Sequence, residues 1–183
     1  MEAIAAFARV LELDPISRVY LGHFGLILHR AREYAQSIEQ CRKALAIDPN
    51  YVNALWFLAL SQEQVGDLPG SIENLEMASS LAKGLHFKAL LGRAYAKAGA
   101  IGKAAAILEE LQNLSRQRYV SPFDIAVVHA GLSDRDAAFE CFERAYQQRV
   151  FRLIELTFPM FDDLRSDHRW ADLVQRVGLP RHI

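Results

Sequence analysis

Apolar residues recur at three- and four-residue spacings along almost the whole chain, in runs broken by short polar or Gly- and Pro-containing stretches, and this pattern predicts successive α-helices rather than strands. Two of the runs close alike. LELDP ends at Pro15 and LAIDP at Pro49, 34 residues apart, and in both an Asp-Pro pair stops the helix and opens a turn. A fixed period of this size marks stacked supersecondary units. One period further, Lys83 and Gly84 fall where the next Asp-Pro pair is due, and a glycine just past a helix end can take the left-handed conformation that caps it.

Small residues keep the same period. Gly25, Ala59, Gly92 and Ala126 occupy one column in the first helix of each unit, and Ser37, Ser71, Ala104 and Ala138 one column in the second. Such residues let two helices approach closely. Larger apolar residues recur beside them, namely Phe24, Leu58, Leu91 and Ile125 in the first helices and Cys41, Leu75, Leu108 and Phe142 in the second, as knobs between the helices. The turns within units carry Val-Gly-Asp-Leu-Pro-Gly at 65–70, Ala-Gly-Ala-Ile-Gly at 98–102, and Ser133 with Asp136 as a capping-box-like start. They are short enough to make the helices of a unit antiparallel.

In these columns the chain resembles the tetratricopeptide repeat family, most closely over LLGRAYAKAGAIGKAAAILEEL at 90–111, where Leu91, Gly92, Tyr95, Gly99, Ala104 and Leu108 keep the family spacing. The resemblance implies an all-α fold, an α-α superhelix of antiparallel pairs. Repeats are placed at 18–51, 52–84, 85–118 and 119–149, preceded by the second helix of a truncated repeat, or a natural cap, at 1–17, and followed by a C-terminal capping segment at 150–183. Arg32 and Ser133 stand in the glycine column of the turn, a departure from the pattern. The helix at 2–13, with Ala3, Phe7 and Val10 on one face, lacks a first helix before it, so the chain is expected to be a piece of a longer protein. Beyond Pro159, Asp167 to Val177 reads as a last amphipathic helix stopped by Gly178 and Pro180. SPFDIAVVHAGLSDRDAAFECFERAYQQR and FDDLRSDHRWADLVQRVGLP resemble the repeat-containing tail of multidomain bacterial signalling proteins, in which an N-terminal DNA-binding, kinase or cyclase domain supplies the output. His168 stands where those relatives have proline, and Phe158 where they often have Asp.

Composition adds little to this picture. With 21 basic and 22 acidic residues the net charge is -1, which supplies no overall attraction to nucleic acid or an acidic membrane. Cys41 and Cys141 lie in separate helical stretches and read as reduced core thiols. The start, MEAIAAFARVLELDP, lacks a basic stretch and does not read as a secretory signal, so a cytoplasmic location is expected. No phosphate loop, HExxH, paired CxxC or G-x-S-x-G is present; neither catalysis nor a metal or cofactor is expected. His23 and His29 are six apart, a poor spacing for shared metal ligation; His129 reads as a core residue; and the neighbouring carboxylates Glu109–Glu110 and Asp162–Asp163 read as solvated or turn residues.

What the resemblance does imply is a recognition surface, because the first helix of each pair lines the concave side of such superhelices. Its lining is expected to include His23, Leu26 and Arg30, then Trp56, Phe57, Leu60, Glu63 and Gln64, then His86, Arg93 and Lys97, then Phe123 and Val127. Trp56 and Phe57 have an alternative place, packed between repeats. The lysine and asparagine clamp with which some family members grip a chaperone's terminal carboxylate is missing, its columns holding Gly22, Leu26, Phe57, His86 and Leu90. The expected partner is a protein or peptide, favouring an acidic, partly apolar segment. Two alternatives are self-assembly into a homo-oligomer through the array ends and a small-ligand sensor built around His23, Trp56 and Arg93.

Overall fold

The computed structural model describes residues 2–180, with side chains from Ile4 onward, so the face expected for Ala3 lies outside what is described. Its first helix, α1 (Glu2–Leu13), precedes four pairs: α2 (Arg18–Arg30) with α3 (Tyr34–Ile47), α4 (Val52–Gln64) with α5 (Leu68–Leu81), α6 (Leu85–Lys97) with α7 (Ile101–Ser115), and α8 (Pro122–Gly131) with α9 (Arg135–Gln147). Two 3-10 helices, Phe151–Thr157 and Pro159–Leu164, then lead to α10 (His168–Val177). The described residues contain no strand, and the all-helical class read from the sequence is the one adopted. The chain divides into two compact units at Phe87 and Lys88, within α6.

Each first helix is turned back by one device. Arg32, Gly66, Gly99 and Ser133 all take positive φ, at 66°, 84°, 78° and 62°. The next residue in each case donates its amide to a carbonyl five positions back: Glu33 to Leu28, Asp67 to Gln62, Ala100 to Tyr95 and Asp134 to His129, at 2.9, 2.9, 2.9 and 3.0 Å. This is the Schellman closure, which satisfies carbonyls that the helix end leaves open. The glycine column of the turn is therefore a conformational column, kept by Arg32 and Ser133 although neither is glycine. Ser133, expected to start α9 as a cap, instead occupies the left-handed position. Asp134 is the cap, and its carboxylate accepts from the Ala137 amide at 3.2 Å.

All eight small-residue positions are buried. At Gly25 a methyl group would collide with the Cys41 sulfur, and at Gly92 one would lie 2.9 Å from Ile107. The knobs are buried as expected except Leu108, which is half-buried, while Leu111 one turn on is fully enclosed. Between α2, α3 and α4, polar atoms are satisfied in a chain: the Ser37 hydroxyl donates to the Gly25 carbonyl (2.7 Å) and meets Ser61 Oγ (2.8 Å), which in turn meets His29 Nδ1 (3.0 Å). Cys41 and Cys141 are free and buried, and burial pushes the Cys41 thiol up to about 12. At the N-terminal end, Phe7 of α1 stacks on Phe24, centroids 6.2 Å apart.

In the unit from Lys88 onward, the 3-10 segment completes the core. Phe161 packs edge-on to Phe123 (6.0 Å) and Phe142 (5.6 Å), and all three are fully buried; Leu153, Leu156, Met160 and Leu164 of the same segment are buried as well. Pro159 opens the second 3-10 helix where its missing amide donor is tolerated. Arg93 Nη2 donates to the Met160 carbonyl (2.6 Å), and the Lys97 ammonium donates to the Asp163 carboxylate (2.5 Å). That hydrogen bond, with the further charges of Lys97, Arg93 and Arg135, holds the Asp163 carboxyl below its ordinary range, against a smaller opposing effect of burial. Helix α10 is capped by Asp167 and ends at Gly178, φ 81°, as the sequence predicts. Arg176 forks onto Glu143 of α9 (3.1 and 2.6 Å), fastening α10 to the last pair.

Three outcomes follow from this packing. Arg32→Gly and Ser133→Gly should each raise stability by roughly 0.5–1 kcal/mol, because a residue with a Cβ resists the left-handed region; thermal melts of the two variants test this. Gly92→Leu should destabilise by about 2–3 kcal/mol through overpacking against Ile107 and Val128, measured by urea denaturation. The pair Lys97–Asp163 is largely exposed and contributes at most about 1 kcal/mol. Since the folded carboxyl sits below its unfolded value, that contribution is complete above the ordinary Asp range and is lost as pH falls through the folded value. The stability difference between the parent and Asp163→Asn, measured from pH 7 to pH 2, should therefore be constant at neutral pH and close at the acid end.

Candidate functional site

In the unit before Lys88 a strip of aromatic rings, partly at the surface, is built on α2, α4 and the first turn of α6. Helix α4 alternates a buried face of Phe57, Leu58 and Leu60 with the half-buried Trp56 and Glu63. Trp56 lies 4.8 Å from Phe57 at a tilt, and His86 and Phe87 meet its ring edge-on at 5.3 and 5.9 Å. On the other side, His23 sets its ring edge-on to Phe57 at 6.2 Å, oriented by a 2.8 Å contact of Nδ1 with the Val19 carbonyl oxygen. Offset and edge-on arrangements such as these are the favoured ones for aromatic rings. Leu26 is half-buried beside them, and Arg30, the last residue of α2, is exposed where a cation complements the helix end.

The predicted lining thus separates into three groups. His23, Trp56 and Glu63 are half-buried and Arg30 exposed, so these reach the surface. Phe57, Leu60 and His86 are buried beneath them, and for Phe57 the packed alternative is the one realised. Arg93, Lys97 and Phe123 belong to the other unit and are engaged by the chain itself. Phe123 is 0% exposed under Phe161, and Arg93 is 2% exposed on the Met160 carbonyl. Lys97 is exposed but ion-paired with Asp163. For Arg93 and Phe123 the expectation of an outward face is corrected by a segment that periodicity could not place, because a 3-10 stretch interrupted by Pro159 has no 3.6-residue pattern. Asp162 and Asp163, expected to be solvated or turn residues, lie in the second 3-10 helix and pair with Arg165 (2.7 Å) and Lys97, the Asp163 side chain remaining largely exposed. The pattern Phe161-Asp162-Asp163 beside apolar residues was the available signal.

Elsewhere, an open cleft of about 760 Å³ between α9 and α10 is lined by Phe139, Leu173 and charged side chains. Its arginines bond within the chain: Arg176 to Glu143 and Asp172, and Arg169 to Asp136 and Asp167 while lying 4.3 Å over the Phe139 ring. Arg169 also holds the Asp167 carboxyl well below its ordinary range. His129, with Nδ1 3.1 Å from Asp134 Oδ2, closes its own turn. Among the described residues no three His, Cys, Asp or Glu side chains are placed to hold a metal ion, and no helix is long and apolar enough to cross a membrane.

This architecture has counterparts among known proteins. The tetratricopeptide repeat family profile matches residues 20–51. Three solved structures share the fold over most of the chain. MamA is 22% identical with a TM-score of 0.57, over 82% of this chain and 89% of MamA. YrrB, described as a TPR protein with an unusual peptide-binding site, is 15% identical with a TM-score of 0.55, over 94% and 90%. A tetratricopeptide repeat protein from Parabacteroides merdae is 13% identical with a TM-score of 0.55, over 97% of this chain and 65% of that one. Residues 20–51 thus match a tetratricopeptide repeat, and the helix pairs around them have the fold of solved tetratricopeptide proteins.

Proposed function

We propose that the chain is a non-catalytic protein-interaction scaffold that holds a peptide or partner domain against the α2–α4 face, within a larger bacterial, cytoplasmic regulatory protein. The observation that carries the reading is Trp56: a tryptophan left half-exposed on a strip of four other aromatic rings, packed with Leu26 against the Cys41–Phe57–Leu58 cluster. Tryptophan and arginine over a rigid apolar bed are the side chains that most often anchor interfaces. His23, Arg30, Trp56 and Glu63 make the contacts in this reading, and Phe57, Leu60 and His86 stiffen the bed below. The description of YrrB as carrying a peptide-binding site lends support from a protein of the same fold. The regulatory context rests on the likeness of the last stretch of the sequence to the tails of signalling proteins.

Affinity capture from a bacterial lysate, followed by mass spectrometry, should retain a defined partner on the parent protein. Trp56→Ala should lose it by more than tenfold, about 1.4 kcal/mol or more, with an unchanged helical circular dichroism spectrum. A folded Trp56→Ala that keeps every partner would move the interface elsewhere.

A further inference from the structure

In the unit from Lys88 onward, two connections meet one end of the antiparallel pair α8–α9. Residues 116–121 lead into α8, and 148–150 lead out of α9, where Arg149 takes φ 54° and the Val150 amide closes on the Ala145 carbonyl (2.9 Å). The first 3-10 helix then begins at that same end with Phe151.

Charge at this end is unbalanced. Residues 111–123 and 144–154 contain no Asp or Glu. Of the carboxylates that bound these stretches, Asp124 is buried, while Glu110, Glu143 and Glu155 bond Lys88, Arg176 and Arg152. Arg116, Arg118 and Arg149 are exposed, and their side chains form no ion pair or hydrogen bond among the described residues. Lys97, Arg169 and Arg176 of the same unit, by contrast, are bonded within the chain.

Apolar surface stands among these cations. Tyr119 is 70% exposed and Phe151 72%, more than any other aromatic ring among the described residues. Ile154, 57% exposed, follows Phe151 by three positions, one turn of a 3-10 helix, so the two share the outward face while Leu153 and Leu156 are buried. Rings this open stand out from the chain instead of lining a groove, which leaves a peptide no channel to enter. A single nucleic-acid strand stacks its bases on π-faces, and Ile154 has none. A bilayer surface suits every one of these groups: anionic headgroups attract arginine, tyrosine sits at headgroup level, and phenylalanine and isoleucine enter the acyl boundary.

We infer that this end of the unit is a docking surface for an anionic phospholipid bilayer. Arg116, Arg118 and Arg149 meet the headgroups, and Phe151 and Ile154 insert. The net charge of -1 does not oppose this, because attraction to a charged surface falls off within a Debye length and is set by the cations nearest to it. The chain lies on the bilayer without spanning it, in keeping with helices too short and polar to cross one among the described residues.

The test is flotation of the full chain with vesicles of phosphatidylcholine, alone or mixed equally with phosphatidylglycerol, in dilute salt. Binding is expected to the mixed vesicles and not to the neutral ones, and should fall as salt is added. Arg116→Gln, Arg118→Gln and Arg149→Gln together should weaken it more than tenfold, and so should Phe151→Ser with Ile154→Ser at unchanged charge, each with the parent's circular dichroism spectrum. Arg116→Gln with Arg118→Gln serves alone if the change at Arg149, in the left-handed region, disturbs its turn. No binding to the mixed vesicles overturns the inference, and retention of a single-stranded oligothymidylate in that case assigns the edge to nucleic acid instead. Vesicle binding that the Phe151 and Ile154 changes leave intact also overturns it, since charge alone would then hold the protein.

Discussion

Two helices bury side chains against each other only if their backbones come within about 8–10 Å, and that distance is set by the smallest residues at the crossing. In this chain eight positions carry the constraint, four in first helices and four in second. Gly25 against Cys41 and Gly92 against Ile107 leave no room for a methyl group without displacement. Everything larger is placed by that approach. Phe24, Leu58, Leu91 and Ile125 reach their partners because the small residue beside each has let the helices close, and the polar chain from Gly25 through Ser37 and Ser61 to His29 is satisfied for the same reason. Were the helices further apart, those buried groups would lose their partners, which is costly in an apolar interior.

The turn column works with the packing columns. A first helix can lie antiparallel on its second only if the chain reverses within about three residues, and the left-handed residue with its five-back hydrogen bond does this four times. Because the geometry is imposed by the whole pair, Arg32 and Ser133 are held in a conformation they would not choose. Tertiary context there outweighs a local cost of roughly 1–2 kcal/mol.

Repetition also makes the chain comparable with itself. Equivalent positions meet different fates: Phe123 is enclosed under Phe161 of the 3-10 segment, whereas Trp56, in the same column, is half-exposed. The C-terminal segment is thus part of the core of its unit, packed on rings of both helices of the last pair. Its aromatic residue is bound into the core, and its carboxylate is held by a cationic cluster at the rim.

Periodicity and punctuation were sufficient to read the helices, the pairing and the turn positions, because each depends on residues close together in sequence. The 34-residue spacing, the small-residue columns and the cap at Gly178 are of this kind. The aromatic strip was half legible: the register located His23, Trp56 and His86, but which ring is covered depends on neighbours thirty or more residues away. The roles of Arg93, Lys97 and Phe123 were not legible at all, since helical register assigns them the same face as Leu26, Arg30 and Trp56. Only the returning segment around Pro159, irregular in sequence and stabilised by contacts more than sixty residues distant along the chain, separates the two sets. Local spacing determines where a side chain stands on its helix; whether that place is open depends on long-range packing, which no short-range pattern encodes.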